Sequence, residues 1–130
     1  MLALVPAAPP IRNGAPELLG RARLAFDQGA YIEAGALMRE AIRQTLAALV
    51  EYHDLPMPRR KVRRTAGELA ILLEKAGKLA DMQANWALEL LEIGNRAAHC
   101  AFVERRELSS AIGQVQWFLC ELPAAVGGDA

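Results

Sequence analysis

Apolar residues recur at three- and four-residue spacing in five separate runs along this chain, and glycine or proline closes four of them. That period is the helical one, and strands of period two have no place in it. The first run opens at Pro16, suited to a first helical turn, and carries Leu18, Leu19, Ala22, Ala25 and Phe26 on one side before Gly29 stops it. The second runs from Tyr31 to about His53 with Ala34, Leu37, Met38, Ala41, Ile42, Thr45, Leu46, Leu49 and Val50 as its apolar face, and Pro56 and Pro58 follow. The third opens on Thr65-Ala66-Gly67-Glu68, the pattern of a capping box, buries Leu69, Leu72, Leu73 and Ala76, and ends at Gly77. The fourth is capped by Asp81. It has two adjacent stripes, Trp86, Leu90, Ile93, Ala97 and Ala87, Leu91, Gly94, Ala98, a width that suits a central helix. The fifth starts near Glu104, places Leu108, Ala111, Ile112, Val115, Leu119 and Leu122 in the core, and stops at Pro123. Short turns between most of these helices predict an all-α fold, an antiparallel bundle of four to five helices over residues 16–123.

Outside that bundle the pattern fails. Residues 1–15 carry Pro6, Pro9, Pro10 and Asn13-Gly14 and read as a flexible arm; residues 124–130, with Gly127-Gly128, read as a flexible tail. The opening run has no basic start and is cut by proline, so it does not read as a signal peptide. No segment approaches the ~20 apolar residues that span a bilayer. A cytoplasmic protein without membrane contact is the expectation. Cys100 and Cys120 sit in apolar surroundings and read as reduced, buried small hydrophobes. Trp86 and Trp117 read as core anchors.

Chemistry is scarce. No metal-ligand spacing, glycine-rich phosphate loop or serine nucleophile with a neighbouring base is present, so no metal and no cofactor are expected. Formal charge sums to zero but is unevenly spread, with 10 Lys+Arg against 6 Asp+Glu in residues 1–64 and 5 against 9 in residues 65–130. The basic half contains Arg59, Arg60, Lys61, Arg63 and Arg64, five cations in six residues. Such a run can follow a nucleic-acid backbone or simply solvate an interhelical loop. It holds no aromatic residue on which a base would stack.

The fourth helix carries the remaining candidates. Asn85, Glu89, Glu92, Arg96 and His99 recur at steps of four and three and form one polar stripe. A solvated face with an ordinary Glu92–Arg96 pair accounts for them. The same residues can also do chemistry. Histidine titrates near neutrality, so it can take a proton from a ribose 2′-hydroxyl and give one to a leaving group. An arginine nearby can neutralise a phosphate. Together these are the parts of a metal-free RNA cleavage.

The stretch Ile93 to His99, IGNRAAH, on a tryptophan-bearing helix, resembles the HEPN superfamily of helical-bundle domains, in the branch with a GN-x-A-A-H signature found beside prokaryotic restriction and defence genes. Tyr31, Ala34, Arg39 and Ile42 match that branch's Y-x-x-A-x-x-x-x-R-x-x-[IL] helix, and the resemblance covers residues 17–122. It implies a HEPN-like bundle that pairs as a homodimer, with RNA or a protein encoded nearby as partner. It also implies a module of a defence or toxin–antitoxin type system. Many members cleave RNA without metal, using an arginine followed after four to six residues by a histidine. His99 matches that histidine and Asn95 the polar residue between. The arginine's allowed positions hold Glu92, Ile93 and Gly94, none of them basic. The resemblance thus implies either a binding module with a degenerate site or a metal-independent endoribonuclease that uses His99 with Arg96 or Arg39.

Overall fold

In the computed structural model of the chain, residues 14–56, 65–100 and 102–128 are described. They form five helices, α1 (Ala15–Asp27), α2 (Tyr31–Tyr52), α3 (Ala66–Lys75), α4 (Asp81–Ala98) and α5 (Arg105–Gly128), with no strand among the described residues. The all-α bundle read from the periodicity is the observed architecture. The basic run Arg59 to Arg64, with Lys61, lies outside the described residues, as do residues 1–13 of the expected arm.

Local chemistry sets several of the helix ends. Gly29 and Gly77 adopt φ of +81° and +73°, left-handed conformations that glycine enters without a Cβ penalty, directly after α1 and α3. The capping box forms as the sequence predicts: the Glu68 amide donates to Thr65 Oγ1 at 3.2 Å, and the Thr65 amide donates to Glu68 Oε1 at 3.0 Å. At α4 the cap shifts by one residue. Ala80 is the N-cap, its amide donates to Gln83 Oε1 at 3.0 Å, and Asp81 stands in the first turn, where its charge suits the helix dipole.

The core gathers around α2 and α4. Helix α2 touches each of the other four, and α4 touches α2, α3 and α5. Met38, Ile42 and Leu46 of α2 are fully buried, as are Ala87 and Leu90 of α4. Neighbours run in opposite directions: the Gly14 amide before α1 donates to Gln44 of α2, while Phe26 and Tyr31 rings meet at 5.3 Å across the α1–α2 turn. Likewise Arg96 near the end of α4 meets Glu107 near the start of α5, and Trp86 near the start of α4 meets Phe118 further along α5.

The closest approach is glycine-made. A Cβ on Gly35 of α2 would stand 2.6 Å from Ala97 Cβ and 2.8 Å from the Gly94 carbonyl oxygen. One on Gly94 would stand 2.8 Å from Arg39 Cγ and 2.9 Å from Met38 Cε. The two glycines let α2 and α4 touch backbone to backbone, which fixes the register of everything nearby.

Three expectations are corrected. Helix α5 does not stop at Pro123 but continues to Gly128, through most of the segment read as a tail. An interior proline removes one amide donor and crowds the preceding turn, which kinks or breaks a helix, and here the helix runs on past it. Trp117 is 68% exposed, and its neighbour Phe118 is the α5 aromatic in the core, fully buried and edge-on to Trp86 at 5.3 Å. One residue turns a helix by about 100°, enough to exchange inside for outside. Both Cys100 and Cys120 are exposed free thiols, one in the turn after α4 and one on the outer face of α5.

Candidate functional site

The α2–α4 contact brings Arg39 and Asn95 together, 56 residues apart in sequence. Arg39 Nη1 donates to Asn95 Oδ1 at 2.8 Å. Asn95 follows Gly94 directly, so the missing side chain that lets the helices touch also brings the amide within reach. Arg39 Nε is shielded from solvent and has no acceptor among the described residues. An N–H left in that state favours any acceptor that reaches it.

Arg39 lines an open groove of about 610 Å³ between α2, α3 and α4. Ala36, Arg39, Glu40 and Arg43 form one wall, Leu88, Leu91, Glu92 and Asn95 the other, and Thr65, Ala66 and Gly67 close one end. Its charges are arranged unequally. Arg43 holds Glu40 through Nε at 2.8 Å and Nη2 at 2.6 Å, and Gln44 donates to the same carboxylate at 3.1 Å. The fork on Glu40 raises the Arg43 pKa above its ordinary value. Arg39 makes no hydrogen bond or ion pair to a carboxylate among the described residues, and Glu92 stands on the facing wall of the groove.

Arg96 is committed elsewhere. Its Nε donates to Glu92 Oε2 at 2.7 Å, its Nη2 to Glu107 Oε2 at 2.8 Å, and its Nη1 to Glu107 Oε1 and the Phe102 carbonyl, both at 3.2 Å. Hydrogen bonds to Glu107 first and Glu92 second raise its pKa further above the ordinary arginine value, and Arg96 in turn holds the Glu107 carboxyl below the usual range. The guanidinium ties the turn after α4 to the start of α5. A phosphate would have to displace two carboxylates to reach it.

His99 is the C-cap of α4, and its amide donates to the Asn95 carbonyl at 3.0 Å. Its side chain is exposed, and no hydrogen bond or ion pair to the imidazole forms among the described residues. It stands one helical turn beyond Asn95, about 6 Å along the axis by helix rise. The structure therefore joins Arg39 with Asn95, leaves His99 accessible nearby, and sets Arg96 apart in its own carboxylate clamp. The cations at 59–64 lie outside the described residues, but the chain re-enters them at Thr65, on the groove's rim.

Two participants escape a reading of the sequence. Glu107 is Arg96's second carboxylate, eleven residues on and past a turn, where no periodicity connects them. The first turn of α3 is a groove wall; the capping box announces that helix start but not its neighbours. Among the described residues no group of three His, Cys, Asp or Glu is placed to hold a metal ion, and no helix is long and apolar enough to cross a membrane. No protein-family model matches the chain, and neither a curated protein nor a solved structure matches it.

Proposed function

We propose that this chain is a HEPN-like helical module that binds single-stranded RNA along the α2–α3–α4 groove, with Arg39 as its phosphate contact, within a prokaryotic defence or toxin–antitoxin type system. The observation that carries the reading is Arg39: a guanidinium that lines the groove without a carboxylate partner among the described residues and is oriented by Asn95 at 2.8 Å. The two motif segments that resemble the HEPN branch supply these two residues, and the cations at 59–64 precede the groove's rim. Affinity from such contacts comes from counterion release, so it falls steeply with salt. In anisotropy titrations with labelled single-stranded RNA, Arg39→Ala lowers the slope of log K against log salt by about 0.7, the share of one phosphate contact on a single strand. Arg96→Ala leaves that slope unchanged. An unchanged slope in Arg39→Ala would refute the assignment.

A second reading, a metal-independent endoribonuclease, is favoured by the exposed imidazole of His99 one turn from Asn95. His99 would take the 2′-hydroxyl proton as the oxygen attacks phosphorus, and the imidazolium so formed would return that proton to the 5′-oxygen as its bond to phosphorus breaks. Arg39 would stabilise the charge on the phosphorane. Cleavage in EDTA to 2′,3′-cyclic phosphate ends, abolished in His99→Ala, would establish it. Intact RNA after long incubation with wild-type protein would leave the binding module.

A further inference from the structure

Glu92 is the carboxylate best placed to compete for Arg39. It lines the wall opposite Arg39, and it lies one helical turn before Asn95, the residue to which Arg39 donates. Side chains three apart on a helix stand about 5–6 Å from each other at Cβ, so a carboxylate at position 92 can reach a guanidinium held at Asn95. The two are not bonded, because a second arginine takes the carboxylate: Arg96 Nε donates to Glu92 Oε2 at 2.7 Å. Arg96 is the one partner of Glu92 among the described residues, and the Glu92 side chain is otherwise 60% exposed. Arg96 does not line the groove and is anchored beyond it, with Glu107 of α5 taking its Nη2 at 2.8 Å and the Phe102 carbonyl accepting from its Nη1 at 3.2 Å. Arg43, the other cation on the groove wall, already spends Nε and Nη2 on Glu40.

We infer that Arg96 is a positioning residue for the groove: anchored on Glu107, it withholds Glu92 from Arg39 and so leaves Arg39 open to a phosphate. The inference rests on Arg39 as the phosphate contact and says what keeps that contact available. Two arginines flank one carboxylate. One is fixed outside the groove by Glu107, and the other sits inside it on the neutral amide of Asn95. Glu92 held by the first leaves the groove's cation exposed. Glu92 held by the second would form an ion pair that every incoming phosphate has to break. The opposite wall repeats the arrangement, since Glu40 is held by the fork of Arg43. Both carboxylates that line the groove among the described residues are therefore answered without drawing on Arg39.

The test uses the full chain, first without RNA and then with labelled single-stranded RNA. In the RNA-free protein, Arg96→Ala moves the NMR signal of the Arg39 Nε–H as Glu92 swings onto its guanidinium, and adding Glu92→Gln returns that signal to its place. In anisotropy titrations Arg96→Ala weakens binding about fivefold, the upper worth of an exposed ion pair that has to be broken. The salt slope stays the same, because Arg39 still meets the phosphate once Glu92 is displaced. Arg96→Ala with Glu92→Gln regains wild-type affinity yet keeps the lowered thermal midpoint of Arg96→Ala, since the bonds to Glu107 and the Phe102 carbonyl are still missing. A purely structural role would not separate binding from stability in this way. Glu92→Gln alone keeps the anchor on Glu107 and binds no more weakly than wild type. An Arg39 signal indifferent to Arg96→Ala, movement of the Arg43 signal in its place, or a double variant that stays weak in binding would each overturn the inference. Absence of RNA binding by wild type, with the Arg39 signal responding as described, would overturn the RNA reading and leave the competition for Glu92 standing.

Discussion

Gly35→Ala places one carbon where the structure leaves no room. The new Cβ would lie 2.6 Å from Ala97 Cβ, 2.8 Å from the Gly94 carbonyl oxygen and 3.0 Å from the Ala98 amide nitrogen. Carbon atoms rest at roughly 3.5–4.0 Å, so α4 must withdraw by about 1 Å. No rotamer relieves the clash, because two of the three atoms are backbone and the third is fixed to it. Overpacking of this kind costs about 1–3 kcal/mol. Helix propensity works the other way, since alanine is favoured over glycine in a helix interior by about 1 kcal/mol. Gly20→Ala supplies the control: it lies inside α1 with nothing within 4 Å, so it keeps the propensity gain and meets no clash. The difference between the two variants isolates the steric cost, about 1–3 kcal/mol. For a chain of this size that separates their midpoints by roughly 5–10 °C in thermal unfolding. The withdrawal also stretches the Arg39–Asn95 bond, so under the proposed RNA-binding role Gly35→Ala lowers RNA affinity as well as stability. Equal midpoints for the two variants would refute a glycine-mediated contact between α2 and α4.

Phe118→Ala empties a fully buried site against Trp86 and costs about 3–5 kcal/mol in urea unfolding. Cys100 holds φ of +60° just after α4, so Cys100→Gly relieves a left-handed strain and stabilises by about 1 kcal/mol in the same assay. Glu107 is held below the usual carboxylate range by Arg96, so the pair favours folding above the unfolded glutamate value of about 4.3 and that contribution is lost as pH falls through the folded value. Wild type therefore exceeds Glu107→Gln in stability at neutral pH, and the gap closes in thermal melts below about pH 4.

What the sequence made legible is what depends on near neighbours. Helix period, the Thr65–Glu68 capping box and the glycine stops at Gly29 and Gly77 all act within a few residues, and each stands where the spacing placed it. Contacts across the bundle were not legible. The Glu92–Arg96 pair is visible at four-residue spacing, but the Glu107 partner that fixes Arg96 is not. Arg39 and Asn95 belong to different helices, and only the motif resemblance suggested that they share a site. Gly94 is part of that motif, and the structure gives it a steric reason: helix α2 occupies the space a side chain would need. Trp117 and Phe118 show the limit of hydrophobic pattern alone. Both are apolar neighbours, and only the rotation of α5 about its axis decides which is covered.

The most direct test of the groove assignment is a titration of isotope-labelled protein with single-stranded RNA, followed by the NMR signals of arginine Nε–H groups and of the Asn95 side-chain amide. Arg39 and Asn95 signals are expected to move together and saturate with the binding isotherm, while the Arg96 signal, clamped by Glu92 and Glu107, stays in place. Movement of Arg96 with Arg39 and Asn95 unmoved would contradict it.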